Sequence, residues 1–160
     1  RATIASGAYQ RKINALFPAV KIVEQACPLF VPLVEEGQLV GPIVDGALEL
    51  YLNGVRSEGV DAVILGCTHY PLLSQAIGDY LGSGVALVEC SKVIARQVKQ
   101  ILGSANQLSS ASSGGESYFV TDEVSRFNSL ANLISNRVAI NAVKVDELIQ
   151  SHASCQNLAA

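Results

Sequence analysis

A cysteine and a histidine two residues apart, Cys67 and His69, stand in the run Gly66-Cys67-Thr68-His69-Tyr70-Pro71. This pair admits three chemistries. Cys67 can be a nucleophile with His69 as its base, a metal ligand beside His69, or a proton donor and acceptor in its own right. A metal needs more ligands than two, and the only other histidine, His152, falls in an Ala/Ser/Gln-rich tail. A nucleophile needs an oxyanion hole and a group to orient the imidazole, and spacing alone names neither. The same pair also occurs in plain structural loops. Cys27, Cys90 and Cys155 form no C-x-x-C pair with Cys67 or with one another. That argues against a zinc ribbon, a redox dithiol or a disulfide framework, and these three are read as structural or incidental.

The elements around Cys67 decide what it can be. Val60 to Leu65 is almost unbroken apolar sequence, as expected of a parallel strand covered on both faces. Pro71 suits the first turn of a following helix whose inner face would be Leu73, Ala76, Ile77, Tyr80 and Leu81. Cys67 therefore falls at the C-terminal end of a buried strand, beside helix amides able to stabilise a thiolate.

Upstream, Tyr9, Ile13, Leu16 and Phe17 predict a helix over Thr3 to Phe17, stopped by Pro18. Val20 to Gln25 predicts a strand, and Pro28 and Pro32 predict a loop after it, over Ala26 to Gly37. Val44, Ala47, Leu48, Tyr51, Leu52 and Val55 predict a helix from Pro42 that Gly59 ends. Downstream, Val85 to Val88 predicts a strand. Ser91 is expected to cap a helix with Ile94, Val98, Ile101 and Leu102 inward. Ser109 to Gly115 reads as a linker. A strand at Tyr118 to Thr121, a helix through Phe127, Leu130, Ala131 and Ile134, and a strand at Ala142 to Val145 follow, before a frayed tail. The alternation implies an α/β fold, a mainly parallel sheet flanked by helices. In such sheets function collects at the C-terminal strand ends, here the loops Ala26 to Gly37 and Gly66 to Pro71.

Composition narrows the partners. The chain has 160 residues, 49% of them apolar, and a net charge of −3 with scattered lysines and arginines. Disorder is not expected, and neither nucleic acid nor an anionic membrane finds a basic patch. No apolar stretch reaches bilayer length and no signal segment precedes the first helix, so a cytoplasmic location is expected. The chain starts at Arg1, lacks methionine and enters helical patterning at once, and it reads as a fragment.

The string Asp61-Ala62-Val63-Ile64-Leu65-Gly66-Cys67-Thr68-His69-Tyr70-Pro71-Leu72-Leu73 is similar to the signature around the second catalytic cysteine of glutamate racemases, in the aspartate/glutamate racemase superfamily. Arg1-Ala2-Thr3-Ile4 with Ser6 and Tyr9 resembles the end of the family's Gly-Thr-x-Ala-Thr loop. Cys27 to Glu35 resembles its proline loop. Phe119-Val120-Thr121-Asp122 with Arg126-Phe127 resembles its closing strand and helix. Val88-Glu89-Cys90-Ser91 departs from the family's usual Ile-Asp-Ser stretch.

The resemblance implies a racemase-like fold of two α/β domains, incomplete here because the N-terminal part is missing. Residues 1–90 would be most of the second domain, and residues 91–160 would return to complete the absent first. It implies cofactor-independent interconversion of L- and D-glutamate, supplying D-glutamate for peptidoglycan synthesis, with two cysteines on opposite faces of the α-carbon. Cys67 would act on L-glutamate, His69 would assist its proton transfer, and Glu35 would be a carboxylate near the site. Thr68, His69 and Thr3 would hold substrate; no metal is implied. A free thiol of pKa about 8.5 is only a few per cent thiolate at neutral pH, so His69 or backbone amides must populate the reactive form. The family's other cysteine lies in an Ala-Cys-Asn-Thr string and its acid in an Asp-Ser segment, and neither string occurs here. The chain alone is therefore expected to be inactive, with apolar faces left for the missing domain. Those faces favour association, a homodimer among the outcomes. Two alternatives are carried: a sister racemase acting on aspartate or hydantoins, and a non-catalytic domain that binds a small acid or serves as scaffold.

Overall fold

The computed structural model of the chain describes residues 2–110, 114–135 and 140–145. They pack as two units that divide after Gln107, and each is built around one parallel strand pair.

In the first unit, helices α1 (Ala2–Ala5), α2 (Ala8–Leu16), α3 (Phe30–Glu35) and α4 (Pro42–Ser57) precede strand β1 (Ala62–Leu65). A 3-10 turn (Tyr70–Leu73), α5 (Ser74–Leu81), β2 (Ala86–Glu89) and α6 (Cys90–Ser104) follow. β1 and β2 run parallel, with Ala62 opposite Ala86 and Leu65 opposite Glu89. Parallel neighbours need a crossover, and the 3-10 turn with α5 supplies it. The apolar stripe foreseen for α4 is buried at Val44, Ala47, Leu48, Leu52 and Val55. It meets Leu73, Ile77 and Leu81 of the crossover, Leu65 of β1, and Phe30 and Val34 of α3. In the second unit, β3 (Tyr118–Val120) pairs in parallel with β4 (Ala142–Lys144) across α7 (Val124–Ser135). Asn128 and Asn132 of α7 accept hydrogen bonds from the backbone N–H groups of Ala142 and Ile140, tying helix to strand.

Several expectations are corrected. The helix foreseen over Thr3 to Phe17 is two helices, because Gly7 takes a left-handed conformation at φ 59° that a right-handed helix cannot pass through. Leu16 and Phe17, foreseen on its apolar face, are exposed. Residues 20–25 form no strand: they lie between α2 and α3 with no ladder partner among the described residues, and β branching does not make a strand without one. The proline loop contains α3, since Pro32 sits in the first turn of that helix, where its missing N–H costs nothing.

β1 is covered on one face only. Leu65 is buried, but Ile64 and its register partner Val88 on β2 are 43% and 37% exposed. Ser91 is not the cap of α6. β2 runs straight into the helix with Glu89 at the boundary, and no side chain bonds the first amides. The α6 face foreseen as inward is open as well. Ile94, Val98 and Ile101 are exposed and Leu102 is half-buried, because no element of this unit lies over them.

Part of the linker (residues 111–113), the Ile134 side chain, the tail, His152 and Cys155 lie outside the described residues. No helix among the described residues is long and apolar enough to cross a membrane.

Candidate active site

β1 ends at Leu65, and the chain then turns sharply through Gly66 to His69 into the 3-10 turn. The turn is closed by its own backbone. The Tyr70 N–H donates to the Cys67 carbonyl at 3.3 Å and the Leu72 N–H to the His69 carbonyl at 3.0 Å. Leu73, fully buried, fastens the end of the turn to the core. Cys67 is thus half-buried at the C-terminal end of the strand, where the apolar run placed it. The helix amide nearest in sequence is engaged with the Cys67 carbonyl.

The imidazole of His69 has a neighbour on each side. Its Nε2 lies 3.7 Å from Glu35 Oε1, at the last residue of α3. Its Nδ1 lies 3.3 Å from Thr68 Oγ1. The first distance is longer than a hydrogen bond and marks an electrostatic pairing; the second is within reach of one. With Nε2 protonated, Nδ1 accepts from the Thr68 hydroxyl and the ring is oriented from both sides. Both His69 and Glu35 keep about a third of their side-chain surface in water, 33% and 35%.

Thr68 and Glu35 therefore flank the imidazole of His69, two residues along the chain from Cys67. Thr3 is not part of that group: it is exposed on α1, where its carbonyl accepts the Ser6 hydroxyl. The N-terminal residue that does reach the loop is Tyr9. Its hydroxyl stands 3.4 Å from where a Cβ on Gly66 would lie and 4.0 Å from Cys90 Sγ. Partial burial and then the Cys90 thiol hold that phenol above its ordinary pKa.

Tyr70 and Cys27 form the buried backing. The Tyr70 hydroxyl donates to the Cys27 carbonyl at 3.1 Å, and its ring meets Phe30 edge-on with centroids 5.3 Å apart. Burial pushes the Tyr70 phenol up to about 12, with the Cys27 and Cys67 thiols adding to it. Burial likewise pushes the Cys27 thiol up to about 11, the direction expected of a thiol in apolar surroundings. In the sequence Tyr9 and Tyr70 stand inside the segments that resemble the family, but nothing there assigned either a role at the site.

Among the described residues, no three His, Cys, Asp or Glu side chains converge to hold a metal ion. An open groove of about 590 Å³ lies between α4 and α5, lined by Asp45, Glu49, Asp79 and Tyr80 among others. It includes none of Cys67, Thr68, His69 or Glu35.

No protein-family model matches the chain. Curated relatives do. A glutamate racemase of Geobacter metallireducens is 43% identical over 131 residues, which cover 81% of this chain and 48% of the relative. One from Thermus thermophilus is 38% identical over 149 residues, covering 92% of this chain and 55% of the relative. The chain belongs to the glutamate racemase family. It aligns to the C-terminal portion and spans about half the length of the curated relatives it matches. Solved glutamate racemases have the same fold. The Francisella tularensis enzyme, determined in complex with D-glutamate, superposes with a TM-score of 0.79 at 30% identity, over 90% of this chain and 54% of that one. The Bacillus anthracis isoform RacE1 gives 0.80 at 29% identity, over 89% and 53%.

Proposed function

We propose that this chain carries one half of a two-base site that interconverts L- and D-glutamate. The α-hydrogen of an amino acid is a very weak acid, so the reaction needs a thiolate on one face, a thiol on the other, and stabilisation of the carbanionic species between them. In the L-to-D direction the Cys67 thiolate takes the α-proton. The C–H electron pair stays on the α-carbon, spread into the adjacent carboxylate, and a thiol opposite returns a proton to the other face. Inversion follows because the two thiols stand on opposite sides.

His69 holds or passes the proton of Cys67, Glu35 orients the imidazole, and Thr68 bonds both the ring and the substrate. Thr3 is proposed as a further substrate contact when the other domain is in place. The second thiol, the partner acid and the closing face come from the half of the relatives that this chain does not span. The matched segments would divide near residue 90, with residues 91–160 completing that other domain. The D-glutamate formed would serve peptidoglycan synthesis in the cytoplasm. No cofactor enters the scheme.

The observation that supports this reading most is the meeting of His69 and Glu35, 3.7 Å apart, one from the end of α3 and the other from the loop that carries Cys67 after β1. The test is exchange of the α-proton into deuterated water, in a protein that joins this chain to a relative's N-terminal portion. Glutamate should exchange, Cys67→Ser should abolish exchange starting from the L-isomer, and aspartate should exchange far more slowly. Faster exchange of aspartate would move the assignment to a sister racemase. Exchange that survives Cys67→Ser would remove the thiol from the mechanism.

A further inference from the structure

His69 and Glu35 belong to segments more than thirty residues apart, and their direct pairing is too weak to hold those segments in register. Each side chain is about a third exposed, and an ion pair in that setting contributes little. Something else must set the 3.7 Å. The residue after His69 is Tyr70, and both ends of its side chain are fastened to the other segment. Its hydroxyl donates to the Cys27 carbonyl at 3.1 Å, just before α3 begins. Its ring packs edge-on against Phe30, the first residue of α3, and Phe30 in turn meets Tyr51 of α4 edge-on at 5.6 Å. Phe30 is only 1% exposed, so it is close-packed on all sides. Glu35 is the last residue of the same short helix, carried rigidly from Phe30.

We propose that Tyr70 is a positioning residue, joining the Cys67 loop to the start of α3 and thereby holding Glu35 at the imidazole of His69. The inference rests on the reading that His69 serves Cys67 and Glu35 orients it. It goes further by naming the device that makes the three act together. A Tyr70 that merely filled the core would need its ring and not its hydroxyl.

Tyr70→Phe separates these roles, because it keeps the ring and removes one hydrogen bond. The readout is the rate at which iodoacetamide alkylates Cys67 in this chain at neutral pH, resolved by peptide mass spectrometry, with Cys27 as the internal report of an intact core. Tyr70→Phe should slow Cys67 roughly fivefold, the factor one neutral hydrogen bond carries, with Cys27 still unlabelled. Glu35→Gln should slow it at least as much, and the double variant should be no slower than Glu35→Gln alone, since both act through one imidazole.

A wild-type rate in Tyr70→Phe, with Glu35→Gln slowed, would overturn the positioning role and leave the His69 and Glu35 reading standing. Effects that multiply in the double variant would also overturn it. Wild-type rates in both Glu35→Gln and His69→Asn would sink the underlying reading and the proposal together. Should Tyr70→Phe open the core and label Cys27, Phe30→Leu, which keeps the hydroxyl and removes the ring edge, decides the matter. A slowed Cys67 there supports the proposal and a wild-type rate overturns it.

Discussion

The two thiols that act on Tyr70 differ in burial. Cys67 stands half-open at a strand end, whereas Cys27 lies in the core with its thiol pushed up to about 11. Tyr70 is raised to about 12. An acid whose pKa is raised by folding binds its proton more tightly in the folded state than in the unfolded state. The stability it lends is complete below the unfolded value and is lost as pH rises through the folded one. For Cys27 that window runs from 9.0 to about 11, and for Tyr70 from 10.0 to about 12. Urea midpoints should therefore fall above pH 9. The Cys27 share is on the order of 2 kcal/mol, and Cys27→Ala should flatten the fall between pH 9 and 11. A midpoint unchanged to pH 11 would contradict the burial argument.

At the scale of elements, the Cys67 loop is only as well placed as the turn that follows it. Leu73 closes that turn and is fully buried against the core formed by α3, α4 and α5. Leu73→Ala should cost about 2–4 kcal/mol by urea unfolding. A cost below 1 kcal/mol would mean that the turn is held from elsewhere. The elements nearest this core were legible in sequence, because α4 and α5 each have a period set by one buried face and β1 is a short apolar run, although that run misstated how many of its faces are covered. Elements whose boundaries depend on a partner were not. Residues 20–25 have the composition of a strand and no strand beside them. The break at Gly7 is a backbone conformation that hydropathy does not register.

For the molecule as a whole, the open apolar faces are the dominant fact. Ile94, Val98 and Ile101 on α6 and Ile64 with Val88 on the sheet are exposed in a unit that spends its other large side chains on one core. Surfaces of this kind favour association. Sedimentation should show species larger than a monomer, shifting with concentration. A monomer at all concentrations would count against these faces being sticky. The chain by itself should not racemise glutamate, because the scheme needs a second thiol opposite Cys67. Turnover that disappears in Cys67→Ser of this same chain would overturn that expectation.

The sequence by itself determined the chemistry on offer and its address. A strand-length apolar run ending in Gly66-Cys67-Thr68-His69 puts a thiol and an imidazole at a strand's C-terminal edge, and the string around it carries the family. Short-range periodicity is enough for that, since each residue concerned is near the others in sequence. Only the tertiary structure decided which groups meet around the loop that carries the thiol. Glu35 reaches His69, Tyr70 bridges to Cys27, Tyr9 rests on Gly66, and Thr3 stays outside the group. Those relations join segments far apart in the chain, and packing rather than local preference sets their distances.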